Sequence, residues 1–280
     1  MALTNFIPAV YAAATLTALD TTLAYGSLGV INREYEGTVS EYGGSVVINT
    51  VADPTIEDYV PYTNMTGGNA ASTQQTMPVD QRKAWSLDID DVDSAQARDD
   101  ADFIGKVSNR AAHLLAKSAD AYIAAQMAAA VTPGTEVTLT DPADAFDLLV
   151  DMRTALSEAD VPVDGRWVVV TPKLHSMLLK DTRFVQGSSG ADVTRSSGVV
   201  GQAAGFAVLE SSQAPDGPGT GAGKLIIAGH ALATTYADQI SKVEALRHPD
   251  RFTDRLRGLH VYGAKVIRPT ALVARDVIGA

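Results

Sequence analysis

Cysteine is absent from the 280 residues, and thiolate zinc sites, disulfides and cysteine nucleophiles are excluded with it. The same absence leaves the redox compartment open. Basic side chains are scarce: 22 Lys and Arg stand against 33 Asp and Glu, a net charge of −11. Gripping a phosphate backbone works by neutralising it with Lys and Arg, so this balance argues against a nucleic-acid-binding surface. No uninterrupted apolar run approaches the roughly 20 residues that span a bilayer. The apolar opening FIPAVYAAATLTALDTTLAYGSLGV lacks the basic start of a signal peptide, because its first positive side chain is Arg33, and Pro8 and Asp20 interrupt it. The chain reads as a soluble cytoplasmic product without a membrane partner, whose first helix docks on something.

What is present fits an ordinary globular protein, with 46% hydrophobic and 20% charged residues. Residues 8–24 carry a loose helical stripe after Pro8. From Gly37 to about Ile89 the pattern changes to short alternating pieces, SVVINTV, IEDYVPY and RKAWSLDI, separated by Gly, Pro, Asn and Thr clusters. Asp99 to Ala130 is strongly helical: Ile104, Val107, Ala111, Leu114, Leu115, Ala119 and Tyr122 recur at helical spacing behind Asp99, Asp100 and Asp102. Such a helix makes a rod of about 45 Å, natural in an extended molecule. A second helix starts at Asp141–Pro142. An α/β stretch follows, with the strand Trp167–Val170, a helix carrying His175, the strands FAVLESS and KLIIAGHA, and another short helix or turn. Two closing strands fall around Leu256–Lys265 and Ala271–Val277. No internal repeat or heptad is visible.

Several stretches imitate chemistry. In GRWVVVTPKLHSMLLKD a strand runs into a helix bearing His175, but no G-x-S-x-G elbow exists, and Thr171–Pro172 is explained as a helix N-cap with proline at the first turn. DGPGTGAGKL resembles a phosphate loop, yet Pro218 takes the first glycine position, Leu225 follows Lys224, and a strand comes next where a helix is needed. Seven aspartates crowd Asp88–Asp102, but Asp93 and Asp99 occupy the places where a calcium loop of the EF-hand type requires Gly and Glu. The histidines at 113, 175, 230, 248 and 260 show no metalloenzyme spacing. Asn64 sits in an N-x-T sequon without a secretion signal. No catalytic, metal or cofactor-binding residue emerges, and the chain reads as a non-enzyme.

The set FIPAVYAA, LGVINREYEG, DDVDSAQARDD, GVVGQAAGFAVLESS and LRGLHVYGAKVIRP, in this order over nearly the whole chain, resembles the major capsid proteins of tailed bacteriophages with the HK97 fold, most closely the P22-type branch. The resemblance implies an α+β fold: an N-terminal arm at 1–36, an extended E-loop hairpin at 37–85, a peripheral domain with a long spine helix at 86–142, an α/β axial domain at 143–244, and closing strands of the peripheral domain at 245–280. It implies hexamers and pentamers closing an icosahedral shell in the virion around double-stranded DNA held without sequence-specific binding, after assembly in the host cytoplasm. No basic or coiled pro-segment precedes the arm, so a separate scaffolding protein is expected, with a portal and a decoration protein as further partners. Self-cross-linking is not expected, because the only E-loop lysine is Lys83, at its base. The related alternative is an encapsulin-type compartment shell.

Charge is segregated along the chain, with 15 acidic and 6 basic side chains in residues 1–110 against 7 basic and 3 acidic in 245–280. Opposite potentials of this kind steer association. With the resemblance, this assigns Val46, Val47, Ile48, Ile56 and Tyr59 of the excursion, and Arg251, Arg255 and Arg257 of the basic end, to contacts between subunits.

Overall fold

The computed structural model describes residues 23–33, 45–51, 56, 58, 61, 62, 64, 72–90, 103–181, 201–219, 221–248 and 250–279. The expected helix at 8–24 lies almost wholly outside them, as do Tyr59 and most of the aspartate cluster.

The spine is α1 (Phe103–Ala130), whose 28 residues span about 42 Å. Ala112, Leu115, Ala116, Ala119, Ile123, Ala124 and Met127 are buried, and their steps of three and four place them on one face. Leu114, expected in that face, is 53% exposed. The burying stripe is therefore turned away from Leu114 and built largely from alanine, which lets the helix approach its sheets closely. Strand β10 (Thr253–Val266) lies against it. There Tyr262 packs edge-on to Tyr122, with ring centroids 5.6 Å apart, and its hydroxyl lies 3.3 Å from Ser118 Oγ.

Around α1 stand two sheets of unequal size. The smaller has the order β3-β10-β9, all antiparallel, from β3 (Gln81–Asp90), β9 (Thr234–Arg247) and β10. The larger has the order β4-β11-β8-β5-β7-β6, from β4 (Gly134–Thr138), β5 (Arg166–Val170), β6 (Gln202–Ala203), β7 (Phe206–Glu210), β8 (Lys224–His230) and β11 (Leu272–Ile278). Its central strands read as unbroken apolar runs because both faces are covered: Trp167–Val170 and Leu225–Ala228 are all buried. A separate hairpin pairs β1 (Ser45–Val51) with β2 (Ser72–Pro78).

This topology corrects two expectations and adds a strand. After His230 the expected short helix or turn is the single 3-10 turn Ala231–Ala233, and the chain then continues as the unexpected 14-residue strand β9. The segment Gly134–Thr138, expected beside the spine helix, is an edge strand of the larger sheet, parallel to β11. The closing strands separate: β10 stays in the smaller sheet, while the turn Pro269–Ala271 carries β11 across to pair with β8. Boundaries drawn at 142 and 244 therefore cut through both sheets.

Helix α2 (Pro142–Glu158) is closed at both ends by side chains. Asp144 reaches back to accept from the backbone N–H groups of Asp141 (2.9 Å) and Thr140 (3.0 Å), and these bonds hold its carboxyl below the usual range. At the other end the buried Arg166 guanidinium donates to Pro162 O, Arg153 O, Val161 O and Ser157 Oγ. Val161 and Pro162 lie in the turn just past the helix, so Arg166 ties that turn to the last turns of the helix, where a cation also suits the partial negative charge of the C-terminus. Burial pulls the Arg166 pKa down, with Arg153 adding to the effect.

The segment 23–33 is fastened to this frame. Asp120, on the buried face of α1 and 4% exposed, accepts from Ala24 N at 2.8 Å and Gly26 N at 3.1 Å. Farther along, Arg33 donates to Gly26 O, and Asn32 makes a parallel bridge to Thr235 of β9. Burial raises the Asp120 pKa against the lowering effect of the Ala24, Gly26 and Tyr25 amides. Removing the carboxylate leaves buried N–H groups without their acceptor, at 1–3 kcal/mol for such a group. Asp120→Ala is expected to lower subunit stability by about 3 kcal/mol in urea denaturation, and an unchanged midpoint would contradict the clamp.

Candidate functional site

The corner after β5 is built as the sequence suggests. Thr171 Oγ1 accepts from Leu174 N at 3.2 Å, and Pro172 opens α3 (Pro172–Lys180). One feature was not legible: His175 Nδ1 lies 2.8 Å from Glu210 Oε2. Parallel pairing of β5 with β7 sets Glu210 beside Val170, and this brings the carboxylate to the helix start. To serve as a nucleophile beside this imidazole and its acid partner, the chain offers neither a cysteine nor a G-x-S-x-G elbow.

In the phosphate-loop mimic, the backbone donors a phosphate would need are already engaged by carboxylates. Gly219 N donates to Asp276 Oδ2 at 2.7 Å, and Gly221 N donates to Glu136 Oε1 at 3.3 Å. Lys224 Nζ pairs with Asp216 at 2.6 Å. The glycines are needed because these carboxylates fill the space: a Cβ on Gly217 would sit 1.8 Å from Asp276 Oδ1, and one on Gly219 would sit 2.3 Å from Glu136 Oε1. A loop that coordinates its own anions repels another. Among the described residues, no group of three or more His, Cys, Asp or Glu is placed to hold a metal, and no helix is long and apolar enough to cross a membrane.

The residues assigned to contacts between subunits divide. Val46 and Ile48 are each only 2% exposed and form a cluster with Met77, Val79 and Ala237. They bury against their own chain, which corrects the assignment for these two. Strand alternation is the reason: Val46 and Ile48 share one face, and Val47, on the other, is 47% exposed. The hairpin base is tied down further by Lys265 Nζ to Thr76 O at 2.8 Å and Gln75 Nε2 to Ile267 O at 3.4 Å. Ile56 is 93% exposed.

The basic end is also engaged within the chain. Arg255 makes a two-pronged ion pair with Asp88, and Arg257 pairs with Glu244. Arg251 is exposed. The segregation of charge along the sequence is thus partly cancelled in the fold, because antiparallel pairing sets β3 and β9 carboxylates beside β10 arginines.

A buried polar network beside Arg33 carries no signal in the sequence. Asp238 Oδ2 accepts from the Tyr236 hydroxyl at 3.0 Å and faces His260 Nε2 at 3.3 Å, while the Arg33 guanidinium lies 5.3 Å from the Tyr236 ring centroid. Burial alone would raise the Asp238 pKa. The His260 hydrogen bond, the charges of Arg33 and His260 and the Tyr236 hydroxyl outweigh it and hold the carboxyl below its usual range.

Residues 73–274 match the family described as phage capsid protein. The chain belongs to that family. A structure from Mycobacterium phage Che8 is 33% identical over 88% of each chain, with a TM-score of 0.72. The capsid structure of cyanophage P-SCSP1u is 17% identical over 85% of this chain and 84% of that one, at 0.67. A virus-like particle from Pyrococcus furiosus is 13% identical over 96% and 98%, at 0.56, and shows likeness of fold alone. No curated protein matches the chain. The mixed helix-and-sheet architecture is the HK97-like fold that the sequence resemblance implied, and the chain is a structural protein of a phage capsid.

The His175 corner and the glycine loop both connect strands of the larger sheet. Thr171→Ala should cost about 1 kcal/mol through the lost cap, and His175→Gln should leave assembly intact, as read by thermal melts and electron microscopy. The Asp238 network has a signed pH dependence. A folded-state pKa below the unfolded value gives stability that is present above the unfolded pKa and lost as pH falls through the folded one. The stability advantage of the wild type over Asp238→Asn should therefore be largest near neutral pH and shrink on acidification below the ordinary carboxylate range. An advantage that grows with acid would contradict this.

Proposed function

We propose that this capsid protein assembles as hexamers and pentamers into an icosahedral shell enclosing double-stranded DNA, without enzymatic activity or a cofactor. The observation that carries the reading is the exposure of large apolar side chains on the excursion between β1 and β2: Ile56 at 93%, Tyr62 at 107% and, at its base, Val47 at 47%. A two-stranded hairpin is marginal in water and has to lie on something. Its base lies on its own subunit, and a neighbouring copy is the natural cover for the remainder. The net charge of −11 suits an inner surface that encloses DNA without adhering to it.

The division of labour follows the sheets. The arm would occupy 1–36 and the E-loop about 37–80. The peripheral unit would comprise β3, α1, β9 and β10, and the axial unit β4 to β8 with β11. A separate scaffolding protein, a portal and a decoration protein are the expected partners, with assembly in the host cytoplasm, and the P22-type branch is the proposed affiliation. The encapsulin-type alternative draws on the Pyrococcus furiosus virus-like particle, which spans 98% of its own chain in the match. Contents of purified particles decide between them: DNA for a virion, a cargo protein for a compartment.

Val51 and Ser72 pair directly across the hairpin, so residues 52–71 can be replaced by Asn-Gly, which favours a tight two-residue turn. This variant keeps Val46 and Ile48 over Met77 and Val79. It should melt as cooperatively as the wild type and form no shells by sedimentation and electron microscopy. Normal shells would remove the intersubunit role of the excursion, and an unfolded product would place residues 52–71 in the subunit's own core.

A further inference from the structure

Helix α1 separates its charges by face. Its one acid, Asp120, lies in the buried stripe and is bound to the backbone at Ala24 and Gly26. On the outer face Arg110, His113 and Lys117 are exposed, and their steps of three and four residues align them along the axis. Among the described residues no carboxylate pairs with any of the three. Leu114 stands between Arg110 and Lys117 on this face and is 53% exposed. Beyond Lys117 the face continues as Ala121, Ala125 and Ala129, all exposed. From Arg110 to Ala129 it runs about 28 Å, cationic around one large apolar side chain in its first part and lined by methyl groups in its second. In a chain of net charge −11, a helix face without acid concentrates the attraction for an anionic partner.

We propose that this face docks an amphipathic helix of a separate protein, acidic where it lies along Arg110 and Lys117 and apolar where it meets Leu114 and the alanines. Residues 110, 113, 114 and 117 stand at i, i+3, i+4 and i+7, the spacing by which one helix anchors on another surface. Carboxylates on the partner complement the two cations and fix its register. Leu114 gains only from an apolar neighbour, which the phosphate backbone of duplex DNA does not supply. The exposed alanines let a second helix axis approach to the roughly 8–10 Å of close helix packing. A second copy of α1 brings cations of its own to the basic part and is repelled there. The docking is a property of the single subunit and does not depend on whether subunits close into a shell.

The probe is a labelled helical peptide of about 20 residues, with glutamates at i, i+4 and i+7 in one half and leucines at the same spacing in the other. It is titrated with the full-length protein at roughly 0.1 M salt and read by fluorescence anisotropy. Saturable binding to the wild type is expected. Arg110→Glu with Lys117→Glu should weaken it about tenfold or more and should bind instead the peptide whose glutamates are replaced by lysines. Leu114→Gln should weaken it several-fold, and duplex DNA of similar length should bind the wild type about tenfold less tightly than the peptide does. Thermal melts check that each variant folds. Where the charge reversal does not, Arg110→Gln with Lys117→Gln should show the loss without the gain. No saturable binding to the wild type, binding unaffected by either set of substitutions, or DNA bound as tightly as the peptide would each overturn the docking. Self-association of the wild type that Leu114→Gln abolishes would also overturn it, by giving the face to a second copy. Particle formation is scored separately by electron microscopy, and its absence would count against the shell-forming function alone.

Discussion

The packing of one alanine-rich helix face against two sheets is the constraint on which the rest of the subunit depends. Helix α1 touches β10 of the smaller sheet and β8 of the larger, so its buried stripe is the seam between them. Alanine at 112, 116, 119 and 124 brings backbone close to backbone, and the larger Leu115, Ile123 and Met127 fill the remaining volume. A carboxylate in such a stripe is costly unless hydrogen-bonded. Asp120 meets that condition by binding the backbone at Ala24 and Gly26, and this converts a local cost into an anchor for residues 23–33.

The fold satisfies its charges internally where chemistry might have been expected. Arg166 ends on the carbonyls of Arg153, Val161 and Pro162, Arg255 and Arg257 on strand carboxylates, and the glycine loop on Asp276 and Glu136. What the described residues leave uncovered is different in kind: large apolar side chains at Val47, Ile56 and Tyr62 on the excursion between β1 and β2. These are features of a component whose remaining partners are copies of itself, in keeping with membership of the phage capsid family.

Legibility in the sequence followed the range of the interaction. The long helix, α2 with its Asp141–Pro142 start and the Thr171 cap were visible because periodicity and capping act within a few residues. The phase of the α1 stripe was not, since alanine and leucine count alike in a pattern while only the facing sheet decides which is buried. Strand β9 was missed because TTYADQISKVEALR contains good helix formers, and pairing along β10 overrides that preference. Val46, Val47 and Ile48 were assigned together, although the alternation in SVVINTV puts Val47 on the opposite face; which face meets the subunit's own Met77 is decided only by the fold. Asp120 with Gly26 and His175 with Glu210 join residues distant in sequence, and no spacing rule announces such pairs.

The account's central claim is that this folded body is a shell component whose uncovered surfaces are completed by further copies. Cryo-electron microscopy of the purified full-length protein tests it most directly. The account predicts closed particles in which α1 and both sheets keep the arrangement described, and residues 52–71 lie against an adjacent copy. A monodisperse monomer, or particles in which the excursion folds back onto its own subunit and touches no neighbour, would contradict it.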